Sequence, residues 1–491
     1  MSSHLLSKSS FIRGIQCEKH LYLYKYHYNE MDQVSEMQEA VFKRGTDVGK
    51  LAQQLFPDGI DASPKSAFEY SKALAETKEL IQKKQKIIYE ASFFFSEVLS
   101  IADIVVNESG TLEIFEVKSS VSISETYLQD AALQYWVISN SGYKIKDFSI
   151  IYINNQYVRN GNLELDELFK IESVLNLILP MQDWVQEKVN RFKEVLRKKT
   201  IPSIDIGEHC HNPYICSFFQ YCRKHIPDNS VFDLSGLHLD KKYDLYRNGI
   251  IKLEDIPDDV KLPKSAGLQL DVYKSKRNII DKIAIKDFLS GLNYPVYFMD
   301  FETFQPAVPM FDNSKPYMQI PFQYSVHYKK SKESKPEHFD FLAEAANDPR
   351  IKFIINLLKI TKGKGDIITY NKTFEISRLK EIAETFPEYN DEIQDRISRI
   401  KDLMLPFQKK YYYTNDMKGS YSIKYVLPAL IPDLSYENLT INEGGLASIK
   451  FESLFYETDL IRIACTRTNL LEYCKLDTFA MVKLLEKLES L

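Results

Sequence analysis

Two acidic residues and a lysine fall within a short stretch that has the pattern of a β-hairpin. Residues 101–120 contain two apolar runs separated by turn-forming residues. Glu116 and Lys118 are two apart and share a face of the second strand, and pairing in register brings Asp103 close to both. Two carboxylates and an ammonium on one small surface are unfavourable unless a cation and an anionic substrate join them. The stretch therefore predicts a metal site, and the alternative is an exposed hairpin whose charges face water.

A second acidic pattern lies in the C-terminal half. Asp300 and Glu302 are two apart in an apolar strand, where two carboxylates on one face are unfavourable without a cation. Glu375 lies near the start of a later helix, and Tyr473 and Asp477 are four apart, hence neighbours on one face of the last helix. These residues predict a carboxylate cage for metal ions. The alternative is unrelated acidic residues in an ordinary α/β domain, with Tyr473 a core aromatic.

The cysteines form the third pattern. Cys210, Cys216 and Cys222 fall within thirteen residues of one another, whereas Cys17 stands alone near the start of the chain. In a reducing compartment a tight cluster of cysteines favours a metal over disulfides. Buried free thiols are the alternative.

Composition limits the function classes. The 491 residues predict two or three domains, and a hydrophobic content of 44% is sufficient for buried cores. The formal net charge of −5 argues against a protein that coats DNA non-specifically, because such binding depends on phosphate neutralisation. No stretch has the apolar length of a membrane span or the apolar core of a signal peptide, so we expect a cytoplasmic protein without membrane contacts.

Strands alternate with helices through the first part of the chain, which predicts an α/β domain over residues 1–225. Helices are expected at 36–56, 66–84, 128–138 and 181–199, and strands at 86–95 and 147–153. Residues 226–290 are expected to form a helical connector, and residues 291–491 a second α/β domain. The tyrosine-rich segment 409–413 (KKYYY) is a candidate for binding single-stranded nucleic acid.

The N-terminal domain resembles the iron–sulfur branch of the RecB-type nucleases, which includes Cas nucleases of CRISPR adaptation and has a PD-(D/E)XK, restriction-endonuclease-like fold. The resemblance rests on Cys17 followed by a Leu-Tyr-Leu helix, on the hairpin, and on the three late cysteines. It implies that Asp103 and Glu116 hold Mg²⁺ and that Lys118 steadies the attacking water or the scissile phosphate.

The same resemblance implies a metal cluster and two supporting residues. Its members hold a [4Fe–4S] cluster that links the two ends of the domain, and zinc is the alternative metal. Glu90 and Gln134 match supporting positions of the family, whereas Gly49 stands where relatives have a metal-binding histidine. The cluster ligands implied are Cys17, Cys210, Cys216 and Cys222.

The C-terminal domain resembles the DnaQ-type 3′→5′ exonucleases of the DEDDy class, which have an RNase H-like fold. The resemblance implies that four carboxylates hold two Mg²⁺ or Mn²⁺ ions, that Tyr473 orients the attacking water, and that Asn371 shapes the site. Glu375 stands where the family usually has aspartate. The metal ligands implied are Asp300, Glu302, Glu375 and Asp477.

Together the two halves resemble a bacterial family that joins an iron–sulfur nuclease domain to a DnaQ-like domain. This predicts a metal-dependent DNA nuclease with two phosphodiesterase sites, acting on ends or single strands in repair, CRISPR adaptation or phage defence. The alternatives are an RNA-directed exonuclease, a nucleic-acid-binding adaptor with one or both sites degenerate, and a zinc-stapled structural protein. A helicase or a CRISPR or repair protein is the expected kind of partner.

Overall fold

The computed structural model describes residues 5–66 and 69–491 and divides into two compact units. Unit 1 consists of Met1–His225 and Ala307–Tyr317, and unit 2 consists of Ile226–Pro306 and Met318–Leu491. Both units combine sheets with helices, which confirms the predicted α/β class. The segment 226–290, expected to be a connector, belongs to unit 2 and has an apolar cluster of its own.

Unit 1 is built on one twisted, mixed sheet. Its strands are β1 (Leu6–Ser7), β2 (Ile60–Asp61), β3 (Ile87–Phe95), β4 (Val98–Glu108), β5 (Thr111–Lys118), β6 (Lys144–Ile153) and β7 (Phe169–Ser173). Its helices are α1 (Lys8–Gln16), α2 (Glu18–Tyr26), α3 (Glu36–Gln53), α4 (Tyr70–Gln82), α5 (Glu125–Asn140), α6 (Leu165–Leu168), α7 (Leu175–Ile178), α8 (Gln182–Arg197) and α9 (Phe219–Cys222). The strand order is β2-β3-β4-β5-β6-β7, with β1 pairing with the start of β4. The helix expected from residue 66 is present as α4, and residues 67 and 68 lie outside the described residues.

The hairpin of β4 and β5 forms as the sequence predicts. Ser109 and Gly110 connect the strands with φ angles of 55° and 95°, a left-handed pair that matches the twist of antiparallel strands. Ile104 pairs with Phe115, and extending this register brings Asp103 opposite Glu116. The chain crosses over through α5 to β6, which runs parallel to β5.

Helices α1 and α5 pack on the sheet of unit 1, and α8 packs on both of these helices. Phe11 of α1 meets Trp184 and Phe192 of α8 edge to face, with ring centroids 5.9 Å and 5.4 Å apart. Trp136 of α5 packs in the same cluster. This buried contact fixes α1 against the sheet, so the residues at the start of α1 are held at the hairpin.

Unit 2 contains a second mixed sheet. The strands of this unit are β8 (Ile279–Ile280), β9 (Val296–Phe304), β10 (Ile320–Lys329), β11 (Glu337–Leu342), β12 (Asp366–Thr369), β13 (Ile400–Asp402) and β14 (Tyr412–Tyr413). In this unit β8 and β14 pair with each other in a separate two-stranded sheet. Its helices are α10 (Leu239–Arg247), α11 (Lys264–Ser275), α12 (Lys282–Ser290), α13 (Arg350–Ile360), α14 (Lys372–Thr385), α15 (Asn390–Ser398), α16 (Leu405–Gln408), α17 (Ile423–Leu430), α18 (Gly444–Ser453) and α19 (Leu460–Glu489). The main sheet has the order β11-β10-β9-β12-β13, in which β9 is antiparallel to β10 and parallel to β12.

The central strand β9 has apolar side chains on one face and acidic side chains on the other. Met299 and Phe301 point into the core, where Phe301 meets Phe353 of α13 edge to face at 5.0 Å. Because side chains alternate along a strand, Asp300 and Glu302 lie on the opposite face. That face is covered by α18 and α19.

The last helix, α19, runs for 30 residues from a cap at Asp459, whose side chain accepts from the backbone N–H groups of Ile461 and Arg462. Its apolar side packs on β9 and β10, while its first residues, Leu460 and Ile461, are exposed. Among residues 5–66 and 69–491, no helix has both the length and the apolar character that crossing a lipid bilayer requires.

Candidate functional site

The carboxylates predicted in unit 2 line one cavity of about 270 Å³. Asp300 and Glu302 reach it from β9, Glu375 from α14, and Asp477 from α19. The other lining residues are Phe301, Tyr370, Asn371, Phe374, Ile423, Lys424, Gly444, Tyr473 and Met481. The structure therefore brings together the residues that the sequence pattern singled out in this half, although they are separated by up to 177 positions in the chain.

Glu375 enters the cavity from the first turn of α14. Asn371 precedes this helix in the left-handed conformation, with φ of 77°, which turns the chain sharply from β12 into α14. The carboxylate of Asp402 accepts from the backbone N–H groups of Asn371 and Lys372 at 3.0 Å and 3.3 Å. Asp402 thereby caps the helix and fixes the direction of Glu375.

Tyr473 and Asp477 lie one turn apart on the buried face of α19, 4% and 7% exposed. The hydroxyl of Tyr436 donates to Oδ1 of Asp477 at 2.7 Å. The ring of Tyr436 also meets that of Tyr473, with centroids 6.2 Å apart. Tyr436, which sequence reasoning missed, therefore orients both residues.

The electrostatics of this cavity are those of crowded, uncompensated carboxylates. Burial, with the neighbouring Asp477, raises the pKa of Asp300, and burial with Asp300 raises the pKa values of Glu302 and Glu375. Burial raises the pKa of Asp477 to about 7, despite its bond from Tyr436. In the described part of the chain, Oε2 of Glu375 is buried without a hydrogen-bond partner. Such a group is costly unless a proton or a cation satisfies it.

One lysine borders the cavity. The ammonium of Lys424 donates to the carbonyl oxygen of Asn442 at 2.7 Å and lies 5.6 Å from the centroid of the Tyr473 ring. It lowers the pKa values of Glu302 and Asp477 somewhat, yet burial outweighs it in both. The negative charge of the four carboxylates is therefore not compensated by Lys424. Divalent ions that prefer oxygen ligands would compensate it.

The N-terminal cluster of unit 1 is organised differently, because lysines reach its carboxylates directly. Oε1 of Glu116 accepts from Lys118 at 2.6 Å and from Lys8 of α1 at 2.7 Å. Its other oxygen accepts from Gln134 of α5 at 2.8 Å. Burial would raise the pKa of Glu116, but Lys118 and Lys8 hold it at about 2. Lys8 was not foreseen from the sequence.

Asp103, Glu90 and Asp130 complete this cluster. Oδ2 of Asp103 accepts from the backbone N–H of Val117 at 2.7 Å, and burial together with Glu116 raises its pKa to about 6. Glu90 interrupts β3 with φ of 53°, and burial with Asp103 raises its pKa to about 7. Asp130 of α5, also unforeseen, accepts from Lys118 at 2.7 Å. The predicted residues are thus assembled around a partly neutralised acidic centre.

The four predicted cluster cysteines line a single small cavity of unit 1. Cys17 stands between α1 and α2, and Cys210, Cys216 and Cys222 close around it from the segment that ends in α9. Burial raises the pKa of Cys216 to about 12, and the other three thiols add to this shift by their proximity. Four thiols gathered in one buried pocket are a donor set that fits an iron–sulfur cluster or a zinc ion.

One surface prediction is wrong. The segment 409–413 was a candidate for stacking on single-stranded nucleic acid, but Lys410, Tyr412 and Tyr413 are buried. The ammonium of Lys410 lies 4.0 Å from the centroid of the Tyr413 ring, and burial lowers its pKa to about 8. Lys410, Tyr412 and Tyr413 therefore pack in the core, and these two tyrosine rings are not available for stacking on bases.

Comparison with known proteins gives limited matches. The family model "Domain of unknown function (DUF2779)" matches residues 297–422, which include Asp300, Glu302 and Glu375 but end before α19. The uncharacterized protein UU173 of Ureaplasma parvum serovar 3 is 26% identical over 313 residues, covering 56% of this chain and 45% of the relative.

Two mycoplasma proteins are also similar to this chain. The uncharacterized protein MG366 homolog of Mycoplasma pneumoniae is 27% identical over 233 residues, and the uncharacterized protein MG366 of Mycoplasma genitalium is 23% identical over 244 residues. These matches cover 43% and 45% of this chain and 35% and 36% of the relatives. The chain thus spans less than half the length of the curated relatives it matches.

Proposed function

We propose that this protein is a metal-dependent nuclease whose principal active site is the carboxylate cavity of unit 2. The observation that carries the proposal is the convergence of Asp300, Glu302, Glu375 and Asp477 on that one cavity, the last three of them buried. None of the four forms an ion pair among the described residues. The order and spacing of these residues also match the DnaQ-type exonucleases, whose fold we propose for this unit.

The residues of the cavity would have separate roles in phosphodiester hydrolysis. The four carboxylates would hold two divalent ions, Mg²⁺ or Mn²⁺, which when bound supply an activated water and stabilise negative charge on the substrate oxygens. Tyr473 borders the carboxylates and is positioned by Tyr436, so its hydroxyl can orient a water beside Asp477. Lys424 carries a positive charge at the rim, suited to a phosphate of the entering strand.

Cleavage of end-labelled nucleic acid tests this function. We expect the purified protein to shorten single-stranded DNA from its 3′ end with Mn²⁺ or Mg²⁺, and Asp300→Asn to abolish the cleavage. Glu472→Gln is the matched control, because Glu472 is exposed on α19 immediately before Tyr473. Equal cleavage by the parent and Asp300→Asn refutes the site. Stronger cleavage of RNA identifies an RNA-directed exonuclease, and binding without cleavage under any metal identifies an adaptor.

A second candidate site is the acidic cluster of unit 1, which we propose to be a PD-(D/E)XK nuclease centre. Asp103, Glu90 and Glu116 lie on adjacent strands, and burial, together with the neighbouring carboxylates, raises the pKa values of the first two. Asp103 and Glu116 would bind a divalent ion there, and Lys118 would hold the substrate phosphate. Lys118→Ala separates the two sites: it should leave the cleavage of 3′ ends that depends on Asp300 in place and remove any cleavage that does not depend on Asp300.

For the cysteine pocket we propose a [4Fe–4S] cluster held by Cys17, Cys210, Cys216 and Cys222, with zinc as the alternative. The four thiols line the same cavity, although Cys17 precedes α2 and the other three lie near residue 220. A cluster that links the two ends of the domain requires this arrangement. Anaerobic purification should give a brown protein containing iron and sulfide, and Cys210→Ser should lose both. A colourless parent with one equivalent of zinc would refute the iron–sulfur assignment.

DNA is the proposed substrate, in repair, CRISPR adaptation or defence, with a helicase or a CRISPR or repair protein as the kind of partner. The support is the resemblance of the two halves to nuclease families that handle ends and single strands. Proteins co-purified under native conditions, compared between the parent and a substrate-trapping Asp300→Asn variant, test the partner.

A further inference from the structure

A buried cysteine contacts the carboxylate of Asp300 in unit 2. Cys474 lies between Tyr473 and Asp477 on α19 and is 0% exposed. Its Sγ is 3.7 Å from Oδ2 of Asp300 and 3.9 Å from the backbone oxygen of Asp300. One ligand atom each from Asp300, Glu302 and Cys474 can be chosen so that all three lie within 4.8 Å of one another. The proposed hydrolysis gives this thiol no part.

An independent observation also points to a bound cation. Oε2 of Glu375, on a residue only 1% exposed, has no hydrogen-bond partner among the residues that the structure describes, and Glu375 lines the same cavity. A buried carboxylate oxygen is normally satisfied. The unsatisfied oxygen lies in the same cavity as Asp300, the residue that the thiol contacts, and a cation bound there would satisfy it.

The types of the donor atoms decide which cation fits. A tetrahedral ion with bonds of about 2.0–2.3 Å to oxygen and sulfur requires ligand atoms roughly 3.3–3.8 Å apart, which small side-chain rotations can reach from the observed spacing. Mg²⁺ favours oxygen ligands in an octahedron, whereas a thiolate favours softer ions such as Zn²⁺ and Co²⁺. A position that has a buried cysteine in place of another carboxylate is thus expected to prefer Zn²⁺ or Co²⁺ over Mg²⁺.

We infer that Asp300, Glu302, Glu375 and Cys474 form a mixed carboxylate–thiolate position for a divalent ion of the zinc class, while Asp477 contributes to an ion bound by oxygen alone. The inference deepens the proposed nuclease site, on which it rests, by assigning different metal classes to its two positions. On binding, the S–H bond of Cys474 is replaced by a sulfur–metal bond and the proton passes to solvent.

Cobalt, a spectroscopic probe for the zinc class, tests the inference on the full chain. The parent, Cys474→Ser and Cys465→Ser are titrated with Co²⁺ and then with Zn²⁺, and sulfur-to-cobalt absorption is recorded in the ultraviolet. Cys465 is the matched control, since it is exposed on the same helix and does not belong to the group of Asp300, Glu302 and Cys474. The cysteines of unit 1 contribute equally to all three proteins, so difference spectra isolate Cys474.

We expect Cys474→Ser to lose one increment of sulfur-to-cobalt absorption and to bind Zn²⁺ about 10–100-fold more weakly, with Mn²⁺ affinity changed less than about threefold. Cys465→Ser should match the parent. Unchanged absorption in Cys474→Ser, or equal weakening of Mn²⁺ and Zn²⁺, overturns the inference. If Cys474→Ser does not fold, Cys474→Ala takes its place in the same titration.

The failure of the inference and the failure of the proposed function give different results. A parent that binds Zn²⁺ through Cys474 but cleaves no nucleic acid refutes the function and supports the metal position. A parent that cleaves with Mn²⁺ and has no absorption dependent on Cys474 refutes the metal position alone.

Discussion

The two acidic clusters of this chain differ in how the negative charge of their buried carboxylates is compensated. In unit 1 the carboxylate of Glu116 is met by two ammonium groups, those of Lys8 and Lys118. In unit 2 the carboxylates of Asp300 and Glu302 crowd together, with Lys424 only at the rim. Residue types alone would have ranked the clusters as equals. The positions of the lysines separate a centre that is partly neutralised by its own side chains from one in which no lysine contacts a carboxylate among the described residues.

The largest difference between the clusters is expected in activity. Glu302→Gln should reduce nucleic-acid cleavage by about 10²–10³-fold, the magnitude of losing one charge-stabilising group from an active site. Glu116→Gln should reduce it by less than about tenfold, because unit 1 is the secondary site. Initial rates of cleavage of labelled single-stranded DNA with Mn²⁺ measure both. A greater loss in Glu116→Gln would reverse the assignment of the principal site.

The lysine in α1 is expected to have the next largest effect. Lys8→Met leaves Glu116 with one ammonium fewer and should lower the free energy of unfolding of unit 1 by about 1–3 kcal/mol without metal. Mn²⁺ should restore more stability to this variant than to the parent. Tryptophan fluorescence during urea unfolding reports on this unit selectively, since both tryptophans, Trp136 and Trp184, belong to it.

Lys25→Met serves as the control for that experiment, because Lys25 is exposed on α2. The role of Lys8 is contradicted if both variants unfold at the same urea concentration, or if Mn²⁺ stabilises them equally.

The smallest expected difference is in pH dependence. Burial raises the pKa of Asp477 from the ordinary 3.8 of an aspartate to about 7 in the folded protein, so the folded state binds this proton more tightly. The contribution of Asp477 to the free energy of unfolding therefore falls as pH rises between these two pKa values. In metal-free protein the fall is about 1 kcal/mol between about pH 6 and about pH 7.5. Glu116, with a pKa of about 2 against 4.5, has the opposite sign and loses its contribution as pH falls.

Hydrogen exchange of peptides from α19, measured in metal-free protein across this pH range, checks the effect of Asp477. Asp477→Asn should flatten the dependence, and saturating Mn²⁺ should remove it in the parent. A parent that becomes more protected as pH rises without metal would contradict the sign.

Much of both sites could be predicted from local pattern. Asp300 and Glu302 share a face because strands alternate, and Tyr473 and Asp477 share one because four residues complete a helical turn. The residues that were missed act through long-range packing. Lys8 meets Glu116 across 108 positions, and no periodicity in the first helix indicates that contact. Asp130 did leave a local signal, since it precedes Gln134 by one turn of α5.

The segment 409–413 illustrates the opposite error. Two lysines followed by three tyrosines have the composition of a surface that binds bases, but composition does not show which of these side chains face the core. Lys410 has φ of 55°, so the chain reverses direction there and carries the following tyrosines inward. Only the backbone path shows that this segment is buried.

The single uninterrupted helix α19 has a consequence for how this protein can change in evolution. Tyr473, Cys474 and Asp477 owe their relative directions to helical pitch alone, so one inserted residue between Tyr473 and Asp477 would rotate one against the other by about 100°. An insertion before Leu460 would leave their mutual geometry intact. Length changes should therefore be tolerated ahead of α19 and excluded within its middle turns, which a scan of single-residue insertions would reveal.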